Sequence, residues 1–195
     1  GGASFRTGIR NGRFVNTLAF GAYKRDVFSN IGGYDEELVR NQDEELNYRL
    51  IQNGGKIWID PSIKSTYYVR NSILKLFKQY FYYGFYKIRV IQKVKALISW
   101  RHLVPASFVL AISISIYFSY FYKINWPGII LLVLYFSVSI IFSINGSIIK
   151  NYKRFLLLPL IYFSIHVAYG VGFIVGVFYF VNKWGKNSSI VFGVI

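Results

Sequence analysis

Three long apolar runs constrain this chain more than any other feature. Residues 103–122 are twenty residues without a charge. Residues 127–149 form a second run, interrupted only by Asn145 and Gly146, and residues 155–181 form a third. At about 1.5 Å of rise per residue, a helix over any of them can cross a hydrocarbon core of about 30 Å. The pattern predicts three transmembrane helices, with the more polar residues 1–102 outside the bilayer core. In the third run, Gly172 and Gly176 make a G-x-x-x-G that permits close helix packing. His166 falls near mid-span, where a polar side chain is costly and marks either a functional group or a hydrogen bond to a neighbouring helix.

The charge distribution sharpens this division. The formal net charge is +15, yet all eight acids lie within the first sixty residues. Residues 61–102 carry nine Lys or Arg and no acid, and six further basic residues are scattered among the apolar runs. A nucleic-acid binder can share the net charge, but its basic residues line a soluble groove rather than abut membrane spans, so nucleic acid is not an expected partner. A basic belt beside hydrophobic helices suits membrane lipids with anionic headgroups. Lys93, Lys95 and Arg101 precede the first run, only Lys123 lies between the first and second, and Lys150, Lys153 and Arg154 lie between the second and third. The positive-inside rule then puts the soluble part in the cytoplasm and the C-terminus on the opposite side, a multi-pass arrangement in the inner (plasma) membrane. Cysteine is absent, so disulfides and thiolate metal sites are excluded. The chain starts Gly1-Gly2 and contains no Met, and is therefore expected to be the C-terminal piece of a longer protein.

Residues 1 to about 70 have mixed α/β character. The β-branched and aromatic residues 14–23 predict a strand, residues 24–31 a short helix stopped by Gly32-Gly33, residues 56–60 (KIWID) a second strand, and residues 64–69 a third. A helix is predicted over 42–52, capped by Asn41 with Glu44 completing a capping box, and ended by Gly54-Gly55. Leu46 and Leu50 face its core side, and Glu45 and Arg49 form an i,i+4 pair of favourable orientation. From Ser72, Leu74, Phe77, Phe81, Phe85 and Ile88 recur at helical spacing. Opposite them run Lys75, Lys78, Gln79, Tyr82, Tyr86 and Arg89. This is a basic amphipathic helix suited either to the membrane interface or to a soluble core.

Six of the eight acids fall in Asp35-Glu36-Glu37 and Asp43-Glu44-Glu45, two copies of D-E-E-L eight residues apart. A carboxylate at a helix N-terminus is held ionised and well directed by the macrodipole and the free N–H groups. That suits a general base, and it suits a plain stabilising charge equally.

The stretch FGAYKRDVFSNIGGYDEELVRNQDEELNYRLIQNGG resembles the acceptor-side half of family 2 glycosyltransferases. The stretch IWIDPSIKSTYYVRNSILKLFKQYFYYGFYK resembles the succinoglycan-type exopolysaccharide enzymes within that family, and HLVPA and HVAYGVGF in the apolar runs also fit. In that family an acidic pair precedes Glu-Leu-x-x-Arg-Leu, and its Asp is the catalytic base. The matching residues are Gln42-Asp43, so the resemblance implies Asp43 as base and Gln42 as a substrate-side neighbour that departs from the usual Glu. Asp35, in the matching glycine-aromatic-Asp-Glu turn, reads as scaffold. FKQYFYYG loosely matches a segment that closes over the donor diphosphate, which gives Arg70, Lys78 and Gln79 a possible substrate-binding role. The Arg-Trp ending of the processive enzymes is absent.

The implied fold is α/β: the C-terminal part of a GT-A nucleotide-diphospho-sugar transferase (1–71), a basic interface helix and juxtamembrane segment (72–102), and three transmembrane helices (103–195). The implied activity is inverting transfer from a nucleotide-sugar donor to a lipid-linked saccharide acceptor. The family's Asp-x-Asp metal motif is not found, so Mg²⁺ or Mn²⁺ is expected to be bound by a preceding half, and this piece alone is expected to be inactive. A non-enzymatic subunit of polysaccharide assembly or export would share the spans and the basic belt. It would not explain the acid-rich helix start followed by Arg49.

Overall fold

The computed structural model describes residues 10–66, 68, 70–95, 100–147 and 157–184. The architecture is mostly helical, with one small sheet and three helices long and apolar enough to cross a membrane. The chain divides into two compact units. One comprises residues 1–69, 89–96 and 180–195, and the other residues 70–88 and 97–179.

In the first unit, strand β1 (Arg13–Val15) pairs antiparallel with β2 (Ile57–Ile59). Arg13 is opposite Ile59, and Phe14 is opposite Trp58 with ring centroids 4.9 Å apart. The strand predicted over 14–23 is cut short at Val15. Beyond it the chain turns irregular, with Phe20 in the left-handed region at φ 61°. A tertiary partner holds this segment: buried Asn47 donates to the Leu18 carbonyl (2.8 Å) and to Thr17 Oγ1 (3.3 Å). The predicted strand over 64–69 is not formed by its described residues, and Tyr67 and Val69 lie outside the described set.

Helix α1 (Arg25–Ile31) ends at Gly32, whose φ of 79° only glycine adopts cheaply. A turn follows, in which Leu38 N–H donates to the Asp35 carbonyl (3.1 Å) and Glu37 N–H to Asp35 Oδ1 (3.0 Å). Helix α2 (Gln42–Gln52) has the predicted bounds, but its start differs from a capping box. Asn41 lies in the left-handed region at φ 64° and its side chain makes no capping bond. A capping side chain needs an extended backbone to reach back to the first turn's N–H groups. Asp43 meets part of that need from inside the helix, its Oδ1 accepting from Glu44 N–H (2.9 Å). Leu38 and Leu46 are fully buried and form part of the unit's core with Ile31, Ile57 and Ile59.

Helix α3 (Ile73–Val94) begins in the second unit, and its last turns belong to the first. Helices α4 (Val104–Tyr122), α5 (Trp126–Ser147) and α6 (Leu157–Tyr179) make up the rest of the second unit. The ends of the predicted spans at 148–149 and 155–156 lie outside the described residues. The outer faces of α4 and α5 are lined with exposed apolar side chains, as lipid contact requires.

The glycines of α6 have specific partners. A Cβ at Gly172 would run into the Phe81 carbonyl, at Gly176 into the Phe85 carbonyl, and at Gly170 into the Pro105 carbonyl. On α3, a Cβ at Gly84 would meet the Tyr169 carbonyl. The G-x-x-x-G therefore seats α3, whose Phe81, Phe85 and Ile88 form the apolar stripe foreseen from sequence. Those neighbours are backbone and cannot swing away. Gly172→Ala is expected to destabilise the α3–α6 pair by about 1–3 kcal/mol, read as a lowered melting temperature in detergent. His166 Nδ1 lies 2.7 Å from Tyr135 Oη, which identifies it as a helix-to-helix hydrogen-bonding group.

Candidate active site

The two acidic copies perform different tasks. In the second copy, Glu45 is 5% exposed and is paired with Arg49 through two contacts, Nε–Oε1 at 2.6 Å and Nη2–Oε2 at 2.9 Å. The same guanidinium donates to the carbonyls of Ile31 and, at 2.7 Å, of Gly33. Arg49 thus clips the end of α1 and the glycine turn onto α2, using the planar fork that only arginine offers. Asn47, one turn beyond Asp43, accepts from Tyr23 Oη (2.7 Å) while holding the 17–18 segment. Tyr23 in turn packs on Phe28, and Phe28 on Tyr34.

Asp43 stands half-buried on this helix start. No ion pair neutralises it among the described residues. The Tyr23 phenol is pushed up to about 12, first by burial and then by its interactions with Tyr34 and the Asp43 carboxylate. Tyr23 therefore stays protonated at neutral pH and serves as a hydrogen-bond donor beside a carboxylate. Gln42 precedes Asp43 in the same first turn and is also half-buried. Tyr23 and Asn47 are absent from the sequence-derived site, because nothing local in the chain links position 23 to position 47.

The first copy is an ion-pair hub. Glu37 accepts from Arg89 (2.7 Å), Lys93 (2.7 Å) and Lys183 (3.1 Å), and Asp35 pairs with Lys93. Arg89 also donates to Gln92 Oε1 (3.1 Å). Asp35 is thus a turn residue, as expected, with an added pairing role. Arg89, on the stripe of α3 opposite the apolar one, is buried. It is 4% exposed, its charge compensated by a carboxylate 52 positions earlier.

Lys93 and Arg89 together hold the Glu37 carboxyl down at about 2 against an ordinary 4.5. A lowered folded-state pKa means that the contribution is complete above about pH 4.5 and is lost as pH falls toward about 2. Acidification through that window is expected to lower the melting temperature of the wild type more than that of Glu37→Gln, measured in detergent. Because the Glu37 side chain is 43% exposed, added salt should shrink the difference.

The other sequence-derived residues lie in the second unit. Arg70 Nε donates to Gln79 Oε1 (3.2 Å), and Gln79 Nε2 donates to Tyr83 Oη (2.8 Å), so these two candidates are brought together. Lys78 is exposed on the same stretch of α3. Among the described residues no three His, Asp or Glu side chains gather as a metal-holding group.

These features sit in a chain similar to a succinoglycan biosynthesis protein and to a glucuronosyltransferase. The chain is 31% identical over 130 residues, 67% of its length, to the succinoglycan biosynthesis protein ExoA of Rhizobium meliloti (strain 1021). It is 30% identical over 178 residues, 90% of its length, to the dolichyl N-acetyl-alpha-D-glucosaminyl phosphate 3-beta-D-2,3-diacetamido-2,3-dideoxy-beta-D-glucuronosyltransferase of Methanococcus voltae. It spans 38% and 51% of the lengths of these two proteins. No protein-family model matches the chain, and no solved structure does.

Proposed function

We propose that this chain is the acceptor-side and membrane part of an inverting glycosyltransferase in polysaccharide biosynthesis, with Asp43 as its general base. One observation supports this most. Of the acids in the first turn of α2, Glu45 is fully engaged by Arg49, while Asp43 carries no compensating cation among the described residues and is fixed in direction by its own helix. In this reading Asp43 takes the proton from an acceptor hydroxyl as its oxygen bonds to the anomeric carbon, and the nucleoside diphosphate departs from the opposite face. Gln42, beside the base, would contact the acceptor.

The two relatives support a sugar donor and a saccharide acceptor. One acts in succinoglycan biosynthesis and the other transfers a glucuronosyl derivative to a dolichyl-linked sugar phosphate. By analogy the donor is a nucleotide-sugar and the acceptor a lipid-linked saccharide, presented at the cytoplasmic face of the inner membrane. Arg70, Lys78 and Gln79 at the start of α3 would face the donor diphosphate. The GT-A fold would be completed by residues outside this chain. A divalent cation, Mg²⁺ or Mn²⁺, would be held there too, since Asp35 and Glu37 are committed to lysine and arginine. Bound, it would neutralise the leaving diphosphate.

The test is incubation of membranes containing the full-length protein with a panel of radiolabelled nucleotide-sugars. Label entering the lipid-extractable fraction supports the proposal. Failure of every donor, with the protein folded and present, contradicts it and favours a non-enzymatic assembly subunit.

A further inference from the structure

The residues that follow α6 return to the acid-rich unit. Gln92 Nε2, in the last turns of α3, donates to the Phe180 carbonyl (2.9 Å). Lys183 Nζ lies 3.1 Å from Glu37 Oε1, on the same carboxylate that Arg89 and Lys93 hold. The chain thus leaves this unit after Ala96 and re-enters it at Phe180, on either side of three apolar helices. These contacts are at odds with a C-terminus on the far side of a membrane, which three complete crossings demand.

The packing within the membrane unit agrees. Residues 123–125 join α4 to α5, and Phe108 stacks on Tyr135 at 4.5 Å, so the two helices form an out-and-back pair. Helix α6 runs antiparallel to α4: His102 Nδ1 lies 3.3 Å from Tyr169 Oη, and Phe108 meets Phe163. The C-terminal part of α6 is therefore level with the start of α4. Along one side α6 is covered by protein rather than lipid, through Gly172 and Gly176 on α3 and Gly170 on α4. Lys150, Lys153 and Arg154, which precede it, favour the same face as Lys93, Lys95 and Arg101.

We infer that α4 and α5 cross as an out-and-back pair and that the residues directly after α6, Phe180 to Lys183, lie on the same side as the acid-rich residues, held to Glu37. This inference does not depend on glycosyl transfer.

The chain has no cysteine, so single cysteines can be placed without background. Ser29→Cys reports the acid-rich unit, Asn125→Cys the α4–α5 connection, and Asn182→Cys the segment after α6. All three positions are exposed. Each variant of the full-length protein is treated with a membrane-impermeant maleimide in sealed vesicles of both orientations, and labelling after permeabilisation gives the total. The expected result is that positions 29 and 182 label from one face and position 125 from the other. Labelling of position 182 together with 125 overturns the inference, as does labelling of 125 together with 29. If Asn182→Cys fails to fold, C-terminal fusions to a reporter active only in the cytoplasm and to one active only outside it give the same discrimination.

Discussion

Replacing Arg49 by Met is expected to destabilise the acid-rich unit by about 3–5 kcal/mol, the cost of leaving a buried carboxylate without its partner. Glu45 is 5% exposed, so it has little water to turn to when the guanidinium is gone. The carbonyls of Ile31 and Gly33 lose their donor in the same step. Against a total stability of about 5–15 kcal/mol for a domain, that is a large fraction. The melting temperature in detergent should fall by about 10 °C or more. Arg49→Lys should recover little, because an ammonium cannot bridge one carboxylate and two carbonyls in the plane that the fork spans. The double variant Glu45→Gln/Arg49→Met should be more stable than Arg49→Met alone, since it removes the stranded charge, and the resulting cycle measures the coupling directly.

Asp43→Asn is expected to lower the rate of sugar transfer by about 10²–10⁴-fold, the usual worth of a positioned general base. The substitution preserves shape and can still accept the Glu44 N–H, so the α2 start should stay folded. Because the change touches the proton acceptor and not the donor site, donor affinity should be unchanged, and kcat should carry the loss. Asp35→Asn gives the contrast. Its carboxylate is already spent on Lys93 and on the turn, so its effect should appear in stability rather than in rate.

Much of the helical structure was legible because periodicity and punctuation are local. The bounds of α2 follow from the acidic start and from Gly54-Gly55, and the three apolar helices follow from length and hydropathy alone. The Glu45–Arg49 pair is likewise a matter of spacing. Most departures from the sequence reading come from a partner distant in sequence. The strand expected over 14–23 stops at Val15, where Asn47 captures the backbone that follows. Arg89 falls on the polar stripe of α3 by period, yet it is buried because Glu37 meets it there. Asn41 has the composition of a cap but not the backbone geometry of one. Within the candidate site, the proposal of Asp43 rests on its motif. Tyr23 and Asn47, which flank it in space, leave no periodic or compositional trace.

The assignment of Asp43 as base is tested most directly by single-turnover transfer in the full-length protein. Donor is held saturating and its binding measured separately for wild type and Asp43→Asn. The expected result is donor affinity equal to wild type with the transfer step slowed by about two orders of magnitude or more. Transfer by Asp43→Asn at near the wild-type rate would contradict the base role and return Asp43 to the status of a stabilising charge at a helix start.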